Sequence, residues 1–417
     1  MIVIVNPQTS GYRLSEAFQE AGVDCLHLYT EPWPQRRAAD TLSPYTAMHH
    51  DLPTTLAALT LKSPLAVLPG SHWGIELADE LAARLGLPHN DRRLATARTD
   101  KAAMVTAVER QGIATPPTFA VRNPTDLAAA LAAIGSRPVV LKHVSTAGSV
   151  GCLRCDGRAS AVAAFGELHG QRNRMGRPND RILVQPYLPG PQFAVNTVSS
   201  EGRHLVTEFY EQHYDWTSDR PSSRHLLLRR YLDPRDRQVV AYVERCLDAV
   251  GQREGAAHTE VRITPEGPLL IEVNCRLMGE VHTDPYFAAI GYSHPAILAE
   301  RYLDPQLFTT RLDRAYRAQR SLARVYLRTG GNGRLSASPG LGAIRRLPGF
   351  HSLVELPRRG AQVSPSNLSI LSTGGAYFVH DDEQTVRDSL ATVFALHVAD
   401  GVFRTDTATR ESATAST

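Results

Sequence analysis

The sequence predicts a mixed α/β and α+β protein built from several units. Three observations lead there. Over residues 1–90, short apolar runs alternate with helical periodicity, the pattern of a parallel sheet with crossover helices. Around 257–274 a stretch alternates polar with apolar residues and turns back on itself at Pro265-Glu266-Gly267, which reads as a hairpin. Between 322 and 380, short β-like runs are separated by many Gly and Pro, a change of texture that suggests a further α+β unit. The chain has 417 residues, and the usual domain sizes then imply about two to four units.

The elements follow in order. Residues 2–5 and 24–28 are strands with a helix at 13–21 between them, and 65–68 is a strand closed by Pro69-Gly70. A helix at 74–85 carries Ile75, Ala78, Leu81, Ala82 and Leu85 on one side and stops at Gly86-Leu87-Pro88. Residues 98–111 form a helix, 118–121 a strand, 125–134 an Ala-rich helix and 138–142 a strand. The loop 145–151 consists mainly of small residues. A strand at 181–185 enters the turn-rich Pro186-Tyr187-Leu188-Pro189-Gly190-Pro191. Strands at 192–199 and 203–210 meet at Ser200-Glu201-Gly202, and a helix at 234–250 precedes the hairpin of 257–264 and 268–274. Further on, 323–327, 343–347 and 376–379 read as strands and 384–397 as a helix. The expected units are 1–92, 93–315 with a subdomain at 115–187, and 316–405. A polar tail at 406–417 is expected to be disordered.

Composition removes several classes of function. Hydrophobic residues make up 42% and charged residues 21%, ordinary for a globular chain. A net charge of +3 does not point to nucleic acid. Five Cys are too few for a disulfide framework. The start Met1-Ile2-Val3-Ile4-Val5 lacks a basic segment and reads as a strand, and nowhere does an apolar run approach the roughly 18 residues of a membrane span. A soluble, cytoplasmic protein is expected. One skew is informative: Lys62, Lys101 and Lys142 are the only lysines among 45 basic residues. Where any cation would serve, this chain uses Arg. A surviving Lys, unless left at the surface by chance, marks a site that needs a compact ammonium on a flexible stem.

The hairpin carries the chemistry. Alternation puts Glu272, Asn274 and Arg276 on one face, with Ile271, Val273 and Cys275 on the other. A three-residue loop would set Glu260 opposite Glu272 on that same face. Two carboxylates and an amide are oxygen ligands suited to Mg²⁺. Unpaired, the carboxylates would repel each other across the strands; as a plain solvent-facing hairpin they would need no partner. Lys142 ends a strand and precedes the Gly148 and Gly151 loop, whose amides could approach phosphate oxygens. Lys101 starts a helix after Thr99-Asp100. Neither a P-loop nor a GxGxxG helix start occurs, so nucleotide binding needs another architecture.

These segments together resemble the ATP-grasp superfamily, and within it the L-amino-acid ligases, carboxylate–amine ligases of the bacilysin-synthetase type. The resemblance spans roughly 60–300 and its parts stand in family order. Residues 70–79 resemble the end of the pre-ATP-grasp domain, and Thr99-Asp100-Lys101 the first phosphate-binding lysine segment. Pro138 to Lys142 with its loop resembles the second lysine and lid, 184–193 the hinge, and His258-Thr-Glu260 with Glu272-Val-Asn274-Cys-Arg276 the magnesium hairpin. Each piece alone is weak; the ordered set is specific, and two of the three lysines fall on the family positions. The chain departs from the family in having Gln185 and Gln192 where the hinge often carries Glu.

The resemblance implies a pre-ATP-grasp domain, a two-subdomain ATP-grasp core and a C-terminal unit, with ATP held between the subdomains. It implies that Lys101, Lys142, Ser149, Gln185, Tyr187, Leu188 and Gln192 hold ATP, with the Leu188 backbone on the adenine edge. Glu260, Glu272 and Asn274 would hold Mg²⁺, expected as two ions, with Mn²⁺ as a substitute. Arg276 and Lys142 would act in catalysis, and Arg276, Gly279 and His282 would face substrate. The implied reaction joins a carboxylate to an amine through an acyl-phosphate, on small-molecule partners, without nucleic acid or membrane; a homodimer is compatible with it.

Other signals rank lower. Cys152-Leu-Arg-Cys155 has no second pair for zinc. Ala147-Gly-Ser149-Val-Gly151 is a near miss to the hydrolase elbow, but a strand rather than a helix follows. Residues 211–216, rich in polar and aromatic side chains, read either as a substrate contact or as a loop. The rival enzyme reading is an ATP-grasp ligase of primary metabolism, biotin-carboxylase-like or of the purine pathway. The rival non-enzyme reading is a nucleotide-sensing module, which would not require the carboxylate and arginine set.

Overall fold

The computed structural model describes residues 1–30, 45–145, 151–172, 178–217, 219–279, 281–365 and 373–406. The positions Gly148 and Ser149, and the tail beyond Asp406, lie outside the described residues.

The N-terminal residues build a parallel sheet in the order β3-β2-β1-β4, with β1 Ile2–Val5, β2 Cys25–Tyr29, β3 Tyr45–Met48 and β4 Ala66–Pro69. Its central strand β1 is fully buried, as an apolar run between two parallel neighbours should be. The edge strand β3 was not legible because it is largely exposed and lacks a long apolar run.

A second sheet is antiparallel, order β5-β8-β6-β7, from β5 Phe119–Val121, β6 Val139–His143, β7 Cys152–Cys155 and β8 Ile182–Pro186. Helices Pro124–Ile134 and Arg158–Leu168 cover it. The second of these buries Ala161, Ala164, Phe165 and Leu168, and with only two large apolar residues gave little periodic signal.

The third sheet is the frame of the molecule. Its eight described strands run β13-β12-β9-β10-β11-β14-β18-β16. They are β9 Gln192–Ser200, β10 Arg203–Thr217, β11 Arg220–Leu228, β12 Gly255–Thr264, β13 Gly267–Asn274, β14 Ser321–Tyr326, β16 Phe350–Val354 and β18 Gly375–His380. One face of β9, β10, β12 and β13 is apolar: Phe193, Val195, Phe209, Val261 and Val273 pack against helices Lys101–Arg110 and Pro234–Ala249. A small sheet, β17-β15-β19, adds β15 Gly333–Ala337, β17 Gln362–Val363 and β19 Arg404–Asp406.

Several local expectations need correction. The helix expected at 98–111 runs from Lys101 to Arg110 and follows a 3₁₀ stretch, Arg92–Arg98, that was not expected. Asp100 separates them, because its carboxylate caps the second helix by accepting from the Ala102 and Ala103 amides. That cap puts Lys101 at the first helical position. Residues 211–216 are not a loop: β10 runs on to Thr217 and pairs with β11. The β-like run 343–347 is instead covered in part by a short helix, Leu341–Ile344. The strands β14 and β18, expected in a separate C-terminal unit, continue the central sheet through the β11–β14 pairing, with β16, not expected as a strand, at its edge.

The hairpin turn is also tighter than expected. Thr264 pairs with Gly267, so two residues rather than three form the loop. A β-bulge then shifts the register between Val261, opposite Leu270, and Glu260, opposite Glu272. The extra residue is Ile271. Alternation alone put it with Val273 in the core; the bulge re-aims it to the other side.

Candidate active site

The second face of β9, β10, β12 and β13 is polar, and the strand register sorts it into rows. Gln212, Gln192 and Arg262 form one row across three strands. Glu260 stands beside Ala194 and opposite Glu272 in the next. Glu208, Asn196, His258 and Asn274 form a third across four strands. Period-two alternation on each strand produces all three rows.

Between these rows and the second sheet lies an open cleft. Lys142 enters from β6, and its Nζ donates to the carbonyl of the bulged Ile271 at 3.2 Å. Lys101 enters from the start of its helix and pairs with Glu272 at 3.2 Å. The Lys101 amide donates to the Val144 carbonyl at 3.0 Å, tying that helix start to the end of β6. Two ammonium groups on separate elements thus converge on a carboxylate. Burial works to raise the Glu272 pKa, but Lys101 and Lys142 outweigh it and hold the carboxyl down at about 2. Burial lowers the Lys142 pKa, with Glu272 pulling the other way.

Asn274 donates to Glu272 Oε1 at 2.8 Å, and Arg276 Nη2 donates to Asn274 Oδ1 at 3.2 Å. Arg276 Nη1 also donates to the Leu277 carbonyl at 2.7 Å. Arg276 therefore reaches the rows through Asn274, while it also lines a smaller cavity beneath β4 with Asp79 and Glu254.

At the hinge, Gln185 Nε2 donates to Thr118 Oγ1 at 2.7 Å, which leaves its amide oxygen for the cleft. Gln192 Nε2 donates to Gln212 Oε1 and Glu260 Oε2 at 2.9 and 2.8 Å. Arg262 donates to Gln192 Oε1 at 3.1 Å and to the Leu188 carbonyl at 2.8 Å. Of the Leu188 backbone, expected on the adenine edge, the carbonyl is already accepting one hydrogen bond. Gly190 is needed where it stands: its φ is +106° and a Cβ there would lie 2.2 Å from the Ile263 carbonyl oxygen. The Tyr187 ring meets Trp216 edge-on at 5.7 Å and carries the Arg154 guanidinium at 4.5 Å.

Of the expected residues, Lys101, Lys142, Gln185, Tyr187, Leu188, Gln192, Glu260 and Glu272 line the cleft. Asn274 stands directly behind Glu272. His282 is not brought to the cleft: it lies 3.7 Å from Glu355 and edge-on to Tyr377, and burial pushes its pKa down to about 4. Gly279 follows Arg276 on a partly exposed loop and does not line the cleft. Sequence reasoning missed Arg262, although alternation from Glu260 places it on the same face. Of the segment 211–216, read as a substrate contact or a loop, Tyr214 and Trp216 line the cleft from β10; Pro221 of β11, which also lines it, was missed because β10 and β11 are longer than their apolar cores suggest. His72 was missed as well. It lies 3.4 Å from Ser145 Oγ, and burial, reinforced by Lys101 and Arg276, holds its pKa down at about 3.

No cluster of three or more His, Cys, Asp or Glu suited to a metal occurs among the described residues. The donor set at the cleft is therefore two facing carboxylates, one kept ionised, with an amide beside it. That all-oxygen set fits a hard divalent cation that keeps waters and shares phosphate ligands.

Residues 135–284 match the ATP-grasp domain family. The chain is 30% identical over 350 residues to dapdiamide A synthase of Enterobacter agglomerans, spanning 81% of this chain and 82% of that one. The chain belongs to the ATP-grasp carboxylate–amine ligases. This ligase has the fold of the L-amino acid ligase from Bacillus licheniformis, with a TM-score of 0.75 at 18% identity, covering 94% of this chain and 96% of that one. A TM-score of 0.69 at 14% identity relates it to N5-carboxyaminoimidazole synthase from Aspergillus clavatus, solved with ADP and 5-aminoimidazole ribonucleotide, over 95% of this chain and 98% of that one. The ligase is an ATP-using enzyme that forms carbon–nitrogen bonds. No helix among its described residues is long and apolar enough to cross a membrane.

Proposed function

We propose that this ligase joins the carboxylate of an amino acid to the amine of a second amino acid or small amine. A carboxylate oxygen attacks the γ-phosphorus of ATP, ADP departs, and an acyl-phosphate forms. The amine nitrogen then attacks the acyl carbon, the tetrahedral intermediate expels phosphate, and the amine gives up a proton. The observation that carries this reading is the convergence of Lys101 and Lys142 on the Glu260–Glu272 pair across one cleft. Ammonium groups so placed compensate charge on the transferring phosphoryl group, the main demand of such a step.

Glu260, Glu272 and Asn274 would hold Mg²⁺. When bound, the metal neutralises phosphate oxygens and orients them. Tyr187, Leu188 and Gln185 would form the base end of the nucleotide site, with Trp216 edge-on to Tyr187. Arg276, with forked donors and a hydrogen bond to Asn274, is suited to hold the acid and then the oxyanion. The similarity to dapdiamide A synthase and to an L-amino acid ligase supports amino acid substrates.

The test is a matrix of amino acids and amines, scored by phosphate release and product mass. Phosphate release that requires a specific pair, with a product equal in mass to the two joined less water, is expected. Release driven by bicarbonate instead would overturn this reading in favour of a ligase of primary metabolism.

A further inference from the structure

The row Glu208, Asn196 and His258 is absorbed by none of the roles above. Each residue is polar, and their exposures are 0%, 0% and 6%. Such burial in the centre of a sheet calls for an explanation. The three stand side by side because β10, β9 and β12 are adjacent and in register at these positions.

We infer that Glu208, Asn196 and His258 form a buried hydrogen-bond chain that positions the Glu260 carboxylate for its metal, an inference that rests on the reading of Glu260 as a metal ligand. Asn196 Nδ2 donates to Glu208 Oε2. A carboxylate oxygen there accepts, so the amide group of Asn196 must turn its NH₂ toward it. The Asn196 carbonyl oxygen then faces His258 Nδ1 at 2.7 Å. That contact places a hydrogen on Nδ1 and fixes the plane of the ring. On the far side of the ring, Nε2 lies 3.2 Å from Glu260 Oε1. The other Glu260 oxygen accepts from Gln192 at 2.8 Å. The Glu260 carboxylate is therefore flanked by one row on each side, and on the His258 side the row runs on to Asn196 and Glu208, which have no exposure.

A purely structural role fits poorly. Burial holds the Glu208 pKa up at about 7, although Asn196, Tyr210 and the His294 amide pull it down. The fold thus tolerates a costly carboxylate where the same strands elsewhere bury Val and Phe without cost. Partners of this kind behind a metal ligand typically govern affinity by about tenfold or more. His258 and Asn196 are positioning residues in this scheme, acting only through Glu260.

The experiment measures Mn²⁺ binding by electron paramagnetic resonance with saturating ADP, on the whole chain. Asn196→Ala and His258→Gln are each expected to weaken Mn²⁺ binding about tenfold while leaving metal-free ADP affinity unchanged. His258→Gln keeps an amide near Glu260 but loses the anchor to Asn196, so it remains informative should Asn196→Ala fail to fold. In a Glu260→Gln background, both changes are expected to have no further effect, the non-additivity of groups acting in series. Unchanged Mn²⁺ affinity in the single variants, or additive losses in the Glu260→Gln background, would overturn the chain. Wild-type Mn²⁺ affinity in Glu260→Gln itself would instead overturn the parent reading of Glu260.

Discussion

The two faces of β9, β10, β12 and β13 come from alternate residues of the same stretches of sequence, yet they carry opposite burdens. One face holds Phe193, Val195, Phe209, Val261 and Val273 against two helices. The other holds Gln192, Asn196, Glu208, His258, Glu260 and Glu272, largely shielded from solvent as well. The apolar face needs only shape and volume. The polar face needs hydrogen-bond partners as well, and the rows supply them for Gln192, Asn196, His258, Glu260 and Glu272. The difference teaches where stability and activity separate in this ligase: a change on one face should unfold it, while a change on the other should silence it.

The largest expected effect breaks the apolar face. Phe209→Ala should lower stability by about 3–5 kcal/mol, read by denaturant unfolding, while the fraction that remains folded keeps its ATP affinity. Next, Glu272→Ala and Arg276→Ala should each cost about a hundredfold or more in kcat/KM with a melting temperature near that of the parent. Wild-type activity in either would remove it from the site.

A third prediction sharpens the contrast through pH. The folded pKa of Glu208, about 7, lies above the ordinary carboxylate value of 4.5. Between those values the unfolded chain releases a proton that the folded chain keeps. The group therefore withdraws stability as pH rises through this window and withdraws none below it. Glu208→Gln, which mimics the protonated acid, should gain melting temperature relative to the parent from pH 5 to pH 8 by a few degrees. A constant difference would place Glu208 outside this scheme. The smallest effect is at the hinge: Arg262→Met, which frees the Leu188 carbonyl and Gln192, should raise the KM for ATP roughly tenfold, about 1.4 kcal/mol, with kcat little changed.

Much of this was legible in the sequence, for identifiable reasons. Alternation on the hairpin placed Glu272 and Asn274 on one face, and the scarcity of lysine singled out Lys101 and Lys142 before any geometry was known. The Glu260–Glu272 pairing was right for the wrong reason: a two-residue turn plus a bulge at Ile271 gives the register that a three-residue loop would have given. Bulges leave no periodic mark, so the contact of Lys142 with the Ile271 carbonyl could not be read in advance. The row of Glu208, Asn196 and His258 was equally hidden, since it depends on the relative register of three strands drawn from residues 192–264. His282 illustrates the converse. Its nearness in sequence to Arg276 suggested the substrate site, and the structure sets its ring beside Glu355 and Tyr377, apart from the residues that line the cleft.

The central claim is that Glu260 and Glu272 hold a divalent ion on the phosphates of a nucleotide that Lys101 and Lys142 face. The most direct measurement is a crystal grown with ADP and Mn²⁺, with anomalous scattering recorded at the manganese edge. The account predicts a peak bonded to oxygens of both Glu260 and Glu272, with the ADP phosphates within reach of the two lysines. ADP bound in the cleft with no anomalous peak at those carboxylates, or a peak held by other residues, would contradict it.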